Sequence, residues 1–90
     1  MSFKLAYYDL QRLIKAFGYD EHTAVVVADY LAECIDFELN LTDYLWNVLP
    51  YFVHIFKSKK EALEYVKEQK VREYTLYECE NYEGVYLEVS

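Results

Sequence analysis

Only three of the ninety residues are breakers of regular structure: Gly18, Pro50 and Gly84. A chain so poor in glycine and proline has few places to reverse, so each of the three marks an element boundary. Before Gly18, residues Leu10, Leu13, Ile14 and Phe17 recur at i, i+3, i+4 and i+7, which predicts a helix that the glycine stops. Asp20 then stands where a helix N-cap belongs, with Glu21 in the favourable first turn. A second helix is expected from there to about Phe37, with Ala24, Val27, Ala28, Leu31 and Ile35 on its inner face.

Pro50 divides the middle of the chain. Thr42 is placed to cap a short third helix over Asp43–Leu49, and Pro50 biases Leu49 out of helical geometry. The aromatic and β-branched run Tyr51–Phe56 reads as a strand, although Leu45, Val48, Leu49, Phe52 and Phe56 also keep a helical period across the proline. The strand is preferred, because Ser58-Lys-Lys-Glu61 is a capping box that opens a new helix over Lys59–Gln69. That helix is expected to bury Ala62, Leu63 and Val66. Tyr74–Cys79 and Val85–Val89 are strand-like, and Asn81-Tyr-Glu-Gly84 supplies turn chemistry between them. The fold class is therefore α+β: N-terminal helices followed by a β-α-β-β unit with a small, mainly antiparallel sheet, in one domain over residues 1–90.

Charge is distributed in blocks. Residues 16–56 contain no Lys or Arg but seven acids: Asp20, Glu21, Asp29, Glu33, Asp36, Glu38 and Asp43. Residues 73–90 again lack a cation and carry Glu73, Glu78, Glu80, Glu83 and Glu88. Six of the nine basic residues crowd into Lys57–Arg72, where Glu61, Glu64 and Glu68 interleave with them as in a salt-bridged, solvated helix. The net charge of −7 opposes direct binding to nucleic acid or to anionic lipid. On a helix Asp29, Glu33 and Asp36 fall on one face opposite Leu31 and Ile35, a row of carboxylates with no cation in the same helix to relieve them. Relief must come from tertiary contact or from a partner.

Eleven tyrosines add to this pattern, since each buried phenol needs a polar partner and a core this small offers few. Tyr77, Tyr82 and Tyr86 are therefore expected to be exposed between Glu78, Glu80 and Glu83. No metal-ligand spacing, glycine-rich phosphate loop or evident nucleophile accompanies these residues, so neither a catalytic residue nor a cofactor nor a metal is expected. The most apolar stretch, Tyr44–Phe56, is too short and too interrupted to span a membrane, which needs about 20 apolar residues. With no secretory signal in Met1–Asp9, the expectation is a cytoplasmic protein with Cys34 and Cys79 as free thiols.

The pattern predicts a non-enzymatic domain whose acids and tyrosines meet a basic protein surface, such as the groove of a nucleic-acid-binding protein. The candidate contacts are Asp29, Glu33, Asp36, Tyr77, Glu78, Glu80, Tyr82, Glu83 and Tyr86. In composition the chain resembles the small acidic inhibitors that phages and mobile elements direct against restriction or CRISPR systems. The alternative is a homodimeric regulatory or adaptor module of antitoxin-like type, associating through exposed aromatics or the edge of the C-terminal sheet.

Overall fold

The computed structural model of the chain describes residues 7–33 and 40–90. Within them the elements follow in the order α1 (Tyr7–Ala16), α2 (Glu21–Glu33), α3 (Leu41–Asp43), a π-helical turn (Tyr44–Val48), α4 (Leu49–Phe52), β1 (Val53–Phe56), α5 (Lys59–Glu68), β2 (Tyr74–Glu78) and β3 (Val85–Val89). The class is α+β, with a three-stranded antiparallel sheet in the order β1-β3-β2.

Local chemistry accounts for the helix ends. α1 stops as expected: Gly18 takes a φ of +97°, a left-handed conformation open to glycine, and its N–H bonds back to the Lys15 carbonyl at 2.9 Å. Asp20 caps α2, its Oδ1 accepting the Thr23 N–H at 2.7 Å. That bond favours the ionised carboxylate and lowers its pKa from the ordinary value. Ser58 Oγ accepts the Glu61 N–H at 3.3 Å, and the Glu61 carboxylate returns to the Lys57 N–H, one residue before the cap. α5 ends in a Schellman-type turn, Val71 N–H to Val66 O, that forces Lys70 to a φ of +53°.

The segment around Pro50 departs from expectation. Asn40, not Thr42, is the cap, and helical backbone continues from Leu41 to Phe52 straight through the proline. Leu49 keeps helical angles (φ −56°, ψ −46°), and its N–H reaches back five residues to the Tyr44 carbonyl. An α-helix would press the Pro50 ring onto the Trp46 carbonyl; the wider π turn opens the helix just before it. The strand consequently starts at Val53 rather than Tyr51. Helix and strand share the apolar run, Phe52 ending the first and Val53 (φ −115°, ψ 132°) beginning the second. Trp46 lies on this turn, 65 % exposed, with its ring edge-on to Phe17 at 5.8 Å.

Pairing places Val53, Ile55, Thr75, Tyr77, Tyr86 and Glu88 on one face of the sheet, and His54, Phe56, Leu76, Val85 and Leu87 on the other. α2 covers the first face and α5 the second, while α1 packs on α2 from outside. The core joins Leu10 and Ile14 of α1, Ala24, Val26, Val27 and Ala28 of α2, Tyr44, Leu45 and Leu49, and the strand residues Val53 and Tyr86. On α5 Ala62 is fully buried, but Leu63 is exposed, lying about 100° round the helix from it. Ile35 and the expected extension of α2 to Phe37 fall outside the described residues.

Candidate functional site

The two cation-free segments meet along α2 and the β2–β3 hairpin. Gly84 makes the approach possible: a Cβ there would lie 2.3 Å from Val26 Cγ2. Beside it, His22 Nε2–H donates to the Glu83 carbonyl at 2.8 Å, fixing the hairpin loop to the first turn of α2. Tyr82 stacks on Tyr7 of α1, centroids 6.0 Å apart and planes 10° from parallel. Seven residues beyond His22 on α2, Asp29 accepts through its Oδ2 from the Tyr77 hydroxyl of β2 at 2.5 Å.

Behind this junction lies a layer of phenols. Tyr30 of α2 stacks on Tyr86 of β3 at 3.9 Å and meets Tyr77 edge-on at 5.4 Å. The Tyr44 and Tyr86 hydroxyls are hydrogen bonded to each other, and the Tyr86 hydroxyl donates onward to Glu88 Oε2 at 3.2 Å. Burial pushes the Tyr77 and Tyr86 phenols up from their ordinary pKa, with Asp29 adding to the first and Tyr44 to the second. Burial, reinforced by the Asp29 carboxylate, likewise pushes the Cys79 thiol up to about 12. At neutral pH all three groups are therefore protonated donors. A thiol so held is a poor nucleophile, because the thiolate is the reactive form.

These contacts correct part of the sequence reading. Tyr86 is wholly buried and Tyr77 half-buried, not exposed, because both project from the strand face that α2 covers. The assumption that a small core lacks partners for phenols fails here, since Asp29 and Glu88 are drawn in to accept from them. Asp29 accordingly does not sit on an outer face; it is half-buried between α2 and β2. The required relief for the helix's carboxylates thus includes a tertiary contact. Glu33, Glu78, Glu80 and Glu83 are exposed as expected, and Tyr82 is 42 % exposed. Asp36 lies outside the described residues. The sequence reading did not single out Tyr30 and Tyr44, whose roles depend on which strand is central.

Among the described residues the only ion pair is Lys15–Glu21 at 3.5 Å, so the interleaved charges of α5 are not salt-bridged to one another. Among them no group of three His, Cys, Asp or Glu is placed to hold a metal ion, and none of the helices they form is long and apolar enough to cross a membrane. A shallow groove of about 370 Å³ lies between α4, β1 and α5, with Tyr19, Thr23, His54 and Tyr65 on its walls. Its His54 Nε2 is already hydrogen bonded to the Tyr65 hydroxyl at 3.1 Å. No protein-family model, curated protein or solved structure matches the chain.

Proposed function

We propose that this chain is a non-enzymatic inhibitor, acting in the cytoplasm, that occupies the basic nucleic-acid-binding groove of a host protein. Such a role suits an anti-defence protein of a phage or mobile element, aimed at a restriction or CRISPR system. The observation that carries this reading is the convergence of two acidic segments distant in sequence. Tyr77–Asp29 and His22–Glu83 hold α2 and the hairpin together, and among the described residues Glu33, Glu78, Glu80 and Glu83 stay exposed without an ion pair, Glu78 on the sheet face turned away from α2. Unneutralised carboxylates on a rigid support stand in for phosphates, and the exposed ring of Tyr82 for a base. Asp29 contributes by holding β2 in place, its carboxylate being occupied by the Tyr77 hydroxyl.

Affinity capture from a host lysate tests the reading. The captured partner should be a nucleic-acid-binding protein that salt or added nucleic acid releases. The triple variant E33Q/E78Q/E83Q should bind it at least about tenfold more weakly and with a shallower salt dependence. Equal binding by that variant, or a partner indifferent to salt and nucleic acid, would sink the proposal.

A further inference from the structure

The strand order leaves β2 at an edge of the sheet, and no strand among the described residues pairs with its outer side. Which of its backbone groups are free follows from two bonds: Cys79 N–H to Gly84 O at 3.0 Å, and Ser90 N–H to Glu73 O at 3.3 Å. In an antiparallel ladder the N–H and C=O of one residue point to the same side. Residues 73, 75, 77 and 79 therefore bond to β3, whereas Tyr74, Leu76 and Glu78 turn their N–H and C=O outward. Along Tyr74–Glu78 no Lys, Pro or bulge blunts the edge, and its one charged side chain is that of Glu78.

We propose that this edge is the seam of a two-fold-symmetric dimer, in which β2 pairs antiparallel with β2 of a second copy in a register centred on Leu76. The symmetry then sets Leu76 against its own equivalent and Tyr74 against Glu78 of the second copy, so that every outward N–H and C=O of the strand finds a partner. Two residues beyond each end of the strand, Arg72 comes opposite Glu80 of the second copy. Both are exposed, and among the described residues neither has an ion pair within its own chain. The pairing thus gives a cation to a carboxylate in a segment that has none of its own, twice per dimer. Sliding the strands by two residues separates Arg72 from Glu80, parts the two Leu76 residues and leaves part of each strand's edge unpaired. The seam extends the three-stranded sheet to a continuous one across both copies; it engages Glu78 and Glu80 of the acidic surface and does not use Glu33 or Glu83.

The test is sedimentation of the whole chain across a concentration series, with amide hydrogen exchange measured at its two ends. The natural chain should pass from monomer to dimer. The amides of Tyr74, Leu76 and Glu78 should gain protection as it does so, while those of Thr75 and Tyr77 are protected throughout. R72E and E80R should each weaken the dimer roughly tenfold, since each sets two like charges opposite each other. Mixing the two variants should restore dimers. In the mixed dimer the carboxylate introduced by R72E faces the guanidinium introduced by E80R, and the second pair keeps its natural residues. Thermal melts of the single variants check that both still fold. A chain monomeric at every concentration would overturn the proposal. So would single variants that dimerise as the natural chain does, a mixture no better than its components, or protection of the three amides that ignores concentration.

Discussion

α2 and α5 lie against opposite faces of the same three strands, yet they are built differently. α2 buries Ala24, Val26, Val27 and Ala28, is enclosed by α1 on its other side, and carries a carboxylate that accepts from a strand tyrosine. α5 buries only Ala62 completely, and among the described residues its charges reach solvent without an ion pair. Away from the helix caps, a carboxylate on these two helices is structural where the helix is packed between neighbours and superficial where it is not. Charge alone does not decide it: Asp29 and Glu64 are both acids within helices, but only Asp29 has the sheet in front of it.

Substitutions that act on one helix and spare the other can break that contrast. Gly84→Ala should have the largest effect, because its methyl group would enter the space of the Val26 side chain. Overpacking of this kind costs about 2–3 kcal/mol. A domain of this size should then melt roughly 10 °C or more lower, read by circular dichroism. If the melting temperature held, the close approach of hairpin and α2 would be disproved.

Asp29→Ala comes next. Loss of the acceptor for the half-buried Tyr77 hydroxyl should cost about 1–2 kcal/mol in urea denaturation, against less than about 0.5 for Glu64→Ala on α5. The same substitution removes a negative charge from beside Cys79. Its thiol pKa should fall from about 12, and alkylation at mildly alkaline pH should quicken.

The pH dependence sharpens the comparison. Cys79, Tyr77 and Tyr86 all have raised folded-state pKa values, so the folded chain holds protons that the unfolded chain releases. Their contribution is complete below the unfolded-state values, about 8.5 for Cys and 10 for Tyr, and is lost as pH rises above them. Stability should decline from about pH 9 upward, and Asp29→Ala should make that decline shallower. Asp20 acts in the opposite limb: its lowered pKa gives a contribution present above the unfolded value and lost as pH falls through the folded one. The smallest effect belongs to α5. Lys70→Gly should stabilise by about 1 kcal/mol or less, since glycine adopts the left-handed turn without the Cβ penalty.

What was legible in the sequence was what depends on a few neighbours along the chain. Gly18, Asp20 and Ser58 end or begin their helices through bonds spanning three or four residues, and their residue types announce it. The proline rule failed at Leu49 because a bond five residues long relieved the clash. Asp29 and Tyr77 are 48 positions apart, and nothing near either residue reveals the other. Tyr86 was misread for a related reason. A tyrosine among glutamates looks like surface until β3 proves to be the central strand, covered on both faces. The acidic blocks themselves were readable; their division into a structural acid and several exposed ones was not.

Trp46, the only tryptophan in the chain, sits on the π turn, largely exposed and against Phe17. This gives the molecule one emitting indole among many phenols. Eleven tyrosines, several gathered between α2 and the sheet, can pass excitation to one indole on the π turn. Folding brings donors and acceptor together, and unfolding separates them. Tyrosine-excited emission from Trp46 therefore reports how closely the phenols as a group gather about the indole. Direct excitation of the indole reports the surroundings of the turn itself. Comparing the two during a single melt would show whether the π turn loosens together with the rest of the fold or before it.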